Sequence, residues 1–517
     1  MNLASRFAEA VRQFPDRSAL SDDEGTLTYR QWDERARAVA HYLVDSGLAP
    51  GDRVALYLPN SADGAVMLYA VWIAGGVAVP LNYRFSEADL AFALSDSGSR
   101  FLMAEGRDVP RLLSLLPASP VRHLVVRGAE SEGAPAPVGL DVVRLAAVAA
   151  EPQGLAIAPR RDGDDCLLMY TSGTTGRPKG VRQTHRNNTA AVDMVASAWE
   201  LGSGDRLLQA LPLFHVGGLQ CTTLPALAVG AEVRFLPRWQ AEAWLLQAGA
   251  FRPTFSALVT TMLIDVLRTL SASAPLAPPA SPLRFIVFGG SATPPHVPDR
   301  LEALLHTPII ELYGQTETSG LITTYSAGER RVRGSMGRVR QEVAEAVLLT
   351  AEGNLAPLSE GATGELAFAG DIVAPGYWQA PEETARRRVG PYLRTGDVVT
   401  VGADGYLTYL DRADNMIVSG GENIYPSEVE AALLRHPAVR EAAVIGTPHE
   451  RLVQQVTAVV VPADGSNLSA ADLGQFLAAD GQLAAFKRPR RVEFATALPK
   501  TGSGKVDRGA LKKQYAK

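Results

Sequence analysis

Residues 170–180 (YTSGTTGRPKG) combine hydroxyl side chains, glycines and a lysine directly after an apolar run. Glycine adopts backbone conformations that are closed to other residues. Hydroxyl groups and the backbone N–H groups that such a loop exposes can donate hydrogen bonds to phosphate oxygens, and Lys179 adds a positive charge. The sequence therefore predicts a loop that holds a polyphosphate. Its candidate binding residues are Thr171, Ser172, Gly173, Thr174, Thr175 and Lys179.

Two other interpretations compete with this one. A P-loop of the Walker A type has the pattern G-x-x-x-x-G-K-[ST]. Here Lys179 follows Pro178 and precedes Gly180, so that pattern is not met. The second alternative is a flexible polar turn, which the same threonines, serine and glycines would also form.

Further motifs follow in a fixed order: LPLFHVGG at 211–218, FGGS at 288–291, YGQTET at 313–318, YLRTGD at 392–397 and LPKTGSGK at 498–505. Together with the glycine-rich run they resemble the adenylate-forming superfamily of acyl-CoA synthetases, luciferases and the adenylation domains of peptide synthetases. The resemblance covers nearly the whole chain. It is most specific between about residues 170 and 505.

The resemblance implies a nucleotide site. In the family the backbone of the FGGS motif passes beside adenine, which assigns Gly289, Gly290 and Ser291. In the YGQTET motif of the family, the tyrosine packs on adenine. The first threonine meets the α-phosphate, and the glutamate binds Mg²⁺. That assigns Tyr313, Gly314, Gln315, Thr316 and Glu317, with Glu317 as the metal ligand.

One carboxylate suits Mg²⁺, which keeps several waters and borrows phosphate oxygens. The resemblance further places Asp397 on the ribose and Arg412 on the nucleotide. Without the family order, FGGS and RTGD would be ordinary turns, and Glu317 a solvated side chain in a surface turn.

Lys505 is the family's adenylation lysine, which meets both the carboxylate and the α-phosphate. The catalytic set implied is Lys505, Thr316, Glu317 and His215. His215 lies in the family between the acyl pocket and the coenzyme A channel. From composition alone, Lys505 would belong to a solvated basic tail, and a single histidine in an apolar run would be a core residue.

The acceptor side is implied by Gly420 and Gly421, which resemble the turn lining the pantetheine tunnel. Arg488 and Arg490 are candidates for coenzyme A phosphates, with a solvated basic loop as the alternative. The chain departs from the family after Gly446. Leu452 stands where some relatives have tryptophan, and Val453 and Gln454 replace a Gly-Glu pair. These changes put the local turn in doubt.

The elements that must position these residues predict an α/β fold. Strand-like runs such as 53–59 and 77–80 flank a helical pattern, which favours a parallel sheet. We expect a large N-terminal domain of parallel αβ layers at 1–412, which includes a small β-rich subdomain at about 334–412. A small α+β C-terminal domain at 415–517 follows, with the hinge at Asp414.

Composition excludes several classes of protein. The 517 residues include 50 Lys plus Arg and 55 Asp plus Glu, so the formal charge of −5 argues against a nucleic-acid partner. Two cysteines form no disulfide framework and favour a cytoplasmic location. We expect no secretory signal and no transmembrane segment. A homodimer is compatible with the sequence.

The predicted function is an AMP-forming acyl-CoA synthetase (an acid–thiol ligase). It uses ATP and Mg²⁺ to activate a carboxylic acid as an acyl adenylate, and then transfers the acyl group to coenzyme A. Three alternatives stay open. They are an enzyme that loads a carrier-protein thiol, a member competent in only one half-reaction, and a non-catalytic nucleotide-binding protein.

Overall fold

The computed structural model describes residues 2–128, 138–148, 155–171, 178–272, 282–291, 293–481, 483–500 and 506–515. The chain divides into two compact units. The first comprises Met1–Ala346 and Phe368–Leu393, and the second Val347–Ala367 and Arg394–Lys517. The predicted domain boundaries and the hinge at Asp414 remain predictions.

The first unit contains two large sheets, and most neighbouring strands in the described part of each sheet are parallel. The nine strands of one sheet, in spatial order, are Arg338–Val339, Gly320–Thr324, Ile309–Gln315, Phe285–Gly289, Phe255–Val259, Arg206–Gln209, Glu232–Phe235, Ser18–Asp22 and Gly25–Thr28. The eight strands of the other are Gly376–Tyr377, Lys179–Thr184, Asp165–Thr171, Val77–Pro80, Arg53–Tyr57, Phe101–Glu105, His123–Arg127 and Asp141–Arg144.

Helices connect these strands. They are Leu3–Gln13, Tyr29–Asp45, Ala62–Ile73, Glu87–Ser97, Val109–Leu115, Leu145–Val148, His185–Ala198, Val216–Gly218, Leu224–Ala228, Ala241–Phe251, Thr260–Leu270, His296–Leu305 and Pro381–Arg386. A π-helical turn, Leu219–Thr223, precedes Leu224–Ala228. Short 3₁₀ turns occur at Gly106–Asp108, Leu116–Ala118 and Thr316–Thr318.

Sequence pattern explains the burial of these elements. The helix Ala62–Ile73 is apolar on nearly every face and buried along almost its whole length, as expected of a helix inside a layered core. The strand Val77–Pro80 is a continuous apolar run and is fully buried, which is typical of a parallel strand covered on both faces. The helix His185–Ala198 begins with a capping box between Thr184 and Asn187.

The second unit contains two smaller sheets. Most of the first sheet lies in this unit, and its strands are Leu355–Pro357, Glu345–Leu349, Thr363–Ala369, Tyr392–Val401 and Leu407–Arg412. The short strand Arg388–Val389, which pairs with Tyr392 and Leu393, belongs to the first unit. The second sheet has Glu422–Ile424, Ile417–Ser419, Val453–Pro462, Val439–His449 and Arg491–Phe494. Its helices are Pro426–Leu433, Ala470–Asp480 and Arg508–Tyr515, and 3₁₀ turns lie at Ala403–Gly405 and Ala485–Lys487.

The predicted fold class is confirmed: parallel αβ layers form the large N-terminal part, and a smaller mixed α and β part follows. No helix in the described ranges is long and apolar enough to cross a membrane.

Candidate active site

The glycine-rich run connects two antiparallel strands, Asp165–Thr171 and Lys179–Thr184. Thr171 pairs with Lys179 at the end of this hairpin, and the Thr171 hydroxyl donates to the Lys179 carbonyl oxygen. Ser172, Gly173, Thr174 and Thr175 lie outside the described residues. The hairpin therefore brings the first and last candidate phosphate ligands, Thr171 and Lys179, side by side.

The ammonium group of Lys179 lies 2.9 Å from Glu383 Oε1. Glu383 belongs to the helix Pro381–Arg386, and both side chains are largely buried, with 21% and 15% of their surface exposed. The hydrogen bond from Lys179 holds the pKa of Glu383 below its usual value. Sequence analysis missed Glu383, because nothing in the pattern distinguishes it from the adjacent Glu382.

Glu317 lies in a 3₁₀ turn, Thr316–Thr318, that follows the strand Ile309–Gln315. The hydroxyl of Tyr377 donates to Glu317 Oε1 at 2.6 Å. Burial, followed by the charge of Glu317, raises the pKa of Tyr377, so the phenol stays a donor. The Glu317 carboxylate is thus oriented by one neutral hydrogen bond. Tyr377 was also missed from the sequence.

Glycine is required at position 314, in the strand that leads into the turn of Glu317. A Cβ atom on Gly314 would lie 1.5 Å from the Gly320 carbonyl oxygen, so no side chain fits there. Ser319 adopts a left-handed φ of +51° and is fully buried. The Gln315 side chain donates to the Tyr313 hydroxyl at 3.3 Å. The close approach of the two chain segments fixes the direction in which the motif leaves its strand.

The FGGS motif ends the neighbouring parallel strand, Phe285–Gly289, in which Gly289 pairs with Leu312. A Cβ atom on Gly289 would lie 2.4 Å from the Leu312 carbonyl oxygen, which explains the glycine. Gly290 has a left-handed φ of +86°. Ser291 Oγ shares a 2.9 Å hydrogen bond with Thr260 Oγ1. The carboxyl ends of two adjacent parallel strands therefore meet here, the usual position of a ligand site in α/β folds.

A buried set of amide side chains supports the site from below. Gln183 donates to the Thr316 carbonyl oxygen at 2.6 Å, and Gln220 donates to Gln183. Gln209 donates at 2.7 Å to the Gly218 carbonyl oxygen and to two threonine hydroxyls of the π-helical turn. All three glutamines are fully buried. None of the three was identified from the sequence.

His215 is exposed, at the start of the short helix Val216–Gly218. The loop before it is held by Asn60, whose side chain donates to the Leu211 carbonyl oxygen and accepts from the Leu213 N–H, each at 2.9 Å. A Cβ atom on Gly218 would lie 2.3 Å from the Pro212 carbonyl oxygen. Backbone packing therefore presents His215 at the surface of the unit.

The second unit brings Asp397 and Arg412 together. They are paired residues of adjacent antiparallel strands, and Arg412 Nη1 lies 3.0 Å from Asp397 Oδ1 and 2.9 Å from the Thr395 carbonyl oxygen. Burial lowers the pKa of Arg412, but the charges of Asp397 and Asp414 together with the hydrogen bond to Asp397 outweigh burial, and the pKa is raised. Asp414 is mostly exposed and lies 3.5 Å from Arg412 Nε.

Arg488 and Arg490 lie in and beside the loop after Ala485–Lys487. Arg490 is exposed, and its N–H donates to the Val456 carbonyl oxygen at 2.9 Å. Arg488 is half-buried, and its Nε atom has no hydrogen-bond partner among the described residues. The role of both arginines toward coenzyme A stays a prediction.

Lys505 lies outside the described residues, but its flanks are fastened. Lys500 and Val506 form a β-bridge, and the Asp507 N–H donates to the Pro499 carbonyl oxygen at 2.8 Å. Arg508 Nη2 donates to both carboxylate oxygens of Glu430, at 2.6 and 2.8 Å. The segment that carries Lys505 therefore begins and ends at nearly the same point.

The predicted turn at Gly420 and Gly421 has left-handed φ angles of +62° and +89°. The Gly420 N–H donates to the Leu452 carbonyl oxygen at 3.0 Å. Beside it Val453, the residue that departs from the family pattern, also adopts a left-handed φ, of +68°, although it is β-branched. The side chain of Val453 is 74% exposed. The backbone thus keeps a conformation suited to glycine.

Replacing Val453 with glycine should stabilise the protein. A β-branched residue in the left-handed region is strained by roughly 1–2 kcal/mol, and the exposed side chain contributes little burial. After the entropic cost of glycine in the unfolded chain, we expect a net gain of about 1 kcal/mol or less. Thermal unfolding of the full chain measures it. Val418→Gly, at a partly exposed strand valine without positive φ, should destabilise instead; a loss at both positions would contradict strain at Val453.

Comparison with known proteins adds an independent line. The model of the AMP-binding enzyme family matches residues 7–378, and that of the AMP-binding enzyme C-terminal domain matches residues 428–505. A feruloyl-CoA synthase of Amycolatopsis sp is 36% identical over 98% of this chain and 97% of its own. The long-chain-fatty-acid–CoA ligase FadD13 of Mycobacterium tuberculosis is 33% identical over 95% and 93%.

The chain is also similar in structure to solved adenylate-forming enzymes. ATP-bound MatB from Rhodopseudomonas palustris superimposes with a TM-score of 0.86 at 28% sequence identity, covering 100% of this chain and 99% of that one. The likeness extends over both compact units.

Proposed function

The chain belongs to the AMP-binding enzyme family, and from that premise we propose how its residues divide the work of an acid–CoA ligase. The protein is an ATP-dependent, AMP-forming acyl-CoA synthetase. One observation carries the proposal. Within one unit, Lys179, Thr316 and Glu317 are each held by a polar partner, namely Glu383, Gln183 and Tyr377.

In the first half-reaction, a carboxylate oxygen of the acid attacks the α-phosphorus of ATP, a new O–P bond forms, and pyrophosphate leaves. Little proton transfer is needed, so positioning and charge neutralisation supply the catalysis. Thr316 and Lys505 contact the α-phosphate, and the hydroxyl loop with Lys179 holds the outer phosphates. Tyr313, Gly289 and Gly290 receive adenine, and Asp397 with Arg412 receives the ribose.

Glu317 would hold Mg²⁺. No group of three or more His, Cys, Asp or Glu residues in the described part of the chain could hold a metal. The YGQTET motif offers one carboxylate, that of Glu317. That donor set fits Mg²⁺, which takes its other ligands from water and nucleotide phosphates. When bound, the ion neutralises charge on the phosphates. Tyr377 donates to one carboxylate oxygen of Glu317, and the carboxylate so oriented would hold the ion.

In the second half-reaction, the coenzyme A thiol attacks the acyl carbonyl of the adenylate and AMP leaves. Gly420 and Gly421 would line the path of the pantetheine arm, and Arg488 and Arg490 would meet its phosphates. Both half-reactions take place at the same acyl group, where Lys505 lies during the first. The Lys505 side chain therefore has to move away before the thiol can approach. A rotation about Asp414 would exchange them.

The acid is proposed to be a monocarboxylate with an uncharged, hydrophobic body. The two segments that would surround it, 211–225 and 312–325, contain no lysine or arginine. A Cβ atom on Gly320 would lie 2.9 Å from Cys221 Sγ and 3.4 Å from Val216 Cγ2, so these two segments pack closely against each other. A second carboxylate on the substrate would be buried without a cation, which is costly. Feruloyl and long-chain relatives are named for acids of this kind, whereas two others, at 34% and 32% identity, are named for sulfoacetate and oxalate, so a direct comparison of acids has to decide.

A matched pair of acids tests the proposal. Dodecanoate and ferulate should give AMP and an acyl-CoA, whereas dodecanedioate, with one added carboxylate, should lose about 10²-fold in kcat/KM, equivalent to about 2.7 kcal/mol. Liquid chromatography of AMP and acyl-CoA in the same reaction gives both readouts. Equal use of the two twelve-carbon acids would contradict the apolar pocket. AMP release without acyl-CoA would contradict the second half-reaction.

We also propose a cytoplasmic location, because Cys166 and Cys221 are both buried free thiols, as a reducing compartment allows. The homodimer remains a prediction, which sedimentation of the full chain would test.

A further inference from the structure

The ion pair between Lys179 and Glu383 joins residues 204 positions apart, within one compact unit. Lys179 ends the glycine-rich hairpin and is the only lysine between residues 155 and 260. Its ammonium group lies 2.9 Å from Glu383 Oε1, so Lys179 donates to a carboxylate of the protein itself. A phosphate oxygen would need the same donor.

Glu383 has other cationic partners. Arg386 Nη2 lies 2.6 Å from Glu383 Oε2, and Arg387 Nε lies 3.8 Å from Oε1. Lys179 uses only one of the two carboxylate oxygens. If Lys179 turned away, Glu383 would keep its pair with Arg386 and would not become an isolated buried charge. The pair with Lys179 is therefore one that can be exchanged at low cost.

The segment that contains Glu383 also contacts Glu317, the candidate metal ligand. Residues 374–386, here termed the bracing segment, pair with Val181 and Arg182 beside Lys179. From this segment Tyr377 donates to Glu317, and Glu383 accepts from Lys179. The bracing segment thus contacts both the candidate metal ligand and the candidate phosphate-binding lysine, while it lies far from either in sequence.

We propose that Glu383 is the resident counter-ion of Lys179, and that the phosphates of ATP and pyrophosphate displace it when they bind. This rests on the proposed role of Lys179 as a phosphate ligand. No bond is made or broken: one ion pair, Lys179 with Glu383, is exchanged for another, Lys179 with phosphate. The carboxylate weakens the binding of ATP and, to the same extent, of pyrophosphate, and so assists release of the first product.

The test is Glu383→Gln, which keeps the shape of the side chain and removes its charge. The dissociation constant of ATP and the inhibition constant of pyrophosphate should both fall about tenfold, a change of about 1.4 kcal/mol. The KM of the acid should stay unchanged, because the acid does not compete for Lys179. The gain should shrink as salt is added, since Lys179 is partly exposed. Glu382→Gln, the exposed neighbour, is the matched control and should change neither constant.

Lys179→Met separates this inference from the function on which it rests. We expect weaker ATP binding in Lys179→Met, and no further effect of Glu383→Gln in that background, because the two residues act as one pair. If Lys179→Met weakens ATP binding but Glu383→Gln leaves it unchanged or weakens it too, the counter-ion role is overturned and the phosphate role survives. If Lys179→Met binds ATP normally, both are overturned. Thermal unfolding of each variant confirms that the compared proteins are folded.

Discussion

Lys505→Ala should lower the rate of adenylate formation by on the order of 10³-fold, as the loss of a charge directed at a developing transition state does. In the proposed mechanism the ammonium neutralises both the attacking carboxylate and the α-phosphate. ATP–pyrophosphate exchange measures this step. Thioester formation from supplied acyl adenylate should stay within a few-fold of the unsubstituted enzyme, because Lys505 has left by then.

The flanks of Lys505 make this variant easy to interpret. The β-bridge of Lys500 with Val506 and the pair of Arg508 with Glu430 do not involve the substituted side chain. Lys513→Ala, an exposed lysine of the helix Arg508–Tyr515, removes the same charge nearby and should leave both steps unchanged. Equal losses in the two half-reactions of Lys505→Ala would assign the residue a structural role instead.

Asp414→Pro is expected to spare adenylation and to slow thioester formation on the order of 10²-fold, a barrier increase of about 2.7 kcal/mol. Proline fixes φ near −65°, so a residue that must change φ between two orientations is held in one. The side chain of Asp414 is 61% exposed, and its ion pair with Arg412 is long, at 3.5 Å. Loss of the carboxylate itself therefore removes little.

Asp414→Ala is the matched control, since it removes the same carboxylate and leaves φ free. Pyrophosphate exchange and acyl-CoA formation are measured on the same folded samples of both variants. If Asp414→Ala and Asp414→Pro behave alike, or if both steps fall together in the proline variant, Asp414 is not a hinge.

The candidate site residues named from the sequence lie on continuous motifs, and the structure explains why several of these motifs need their glycines. The glycines at 314 and 289 are demanded by backbone atoms within 2.4 Å of a Cβ position, and the motif around each was recognised. The parallel αβ layers were predicted correctly, because buried parallel strands form continuous apolar runs. Asp397 and Arg412 are separate candidates in the sequence, and the strand register explains why they touch.

The partners of these residues could not be predicted. Tyr377 lies 60 positions from Glu317, and Glu383 lies 204 positions from Lys179. Such contacts depend on how the strand Gly376–Tyr377 joins a sheet edge, which no local pattern encodes. The buried glutamines were missed for a related reason. A glutamine in an apolar run gives no sign of which backbone carbonyl it will meet.

The buried amide side chains of Gln183, Gln209 and Gln220 have a consequence for how the enzyme responds to pH. Amide side chains neither gain nor lose a proton across the working range of an enzyme, and they carry no net charge to be screened by salt. The carbonyl oxygen of Thr316 and the turn below His215 are therefore held by supports that are indifferent to pH and ionic strength. A change in rate with pH or salt would then report on the substrates and on the ion pairs that receive them, while the framework beneath keeps its shape.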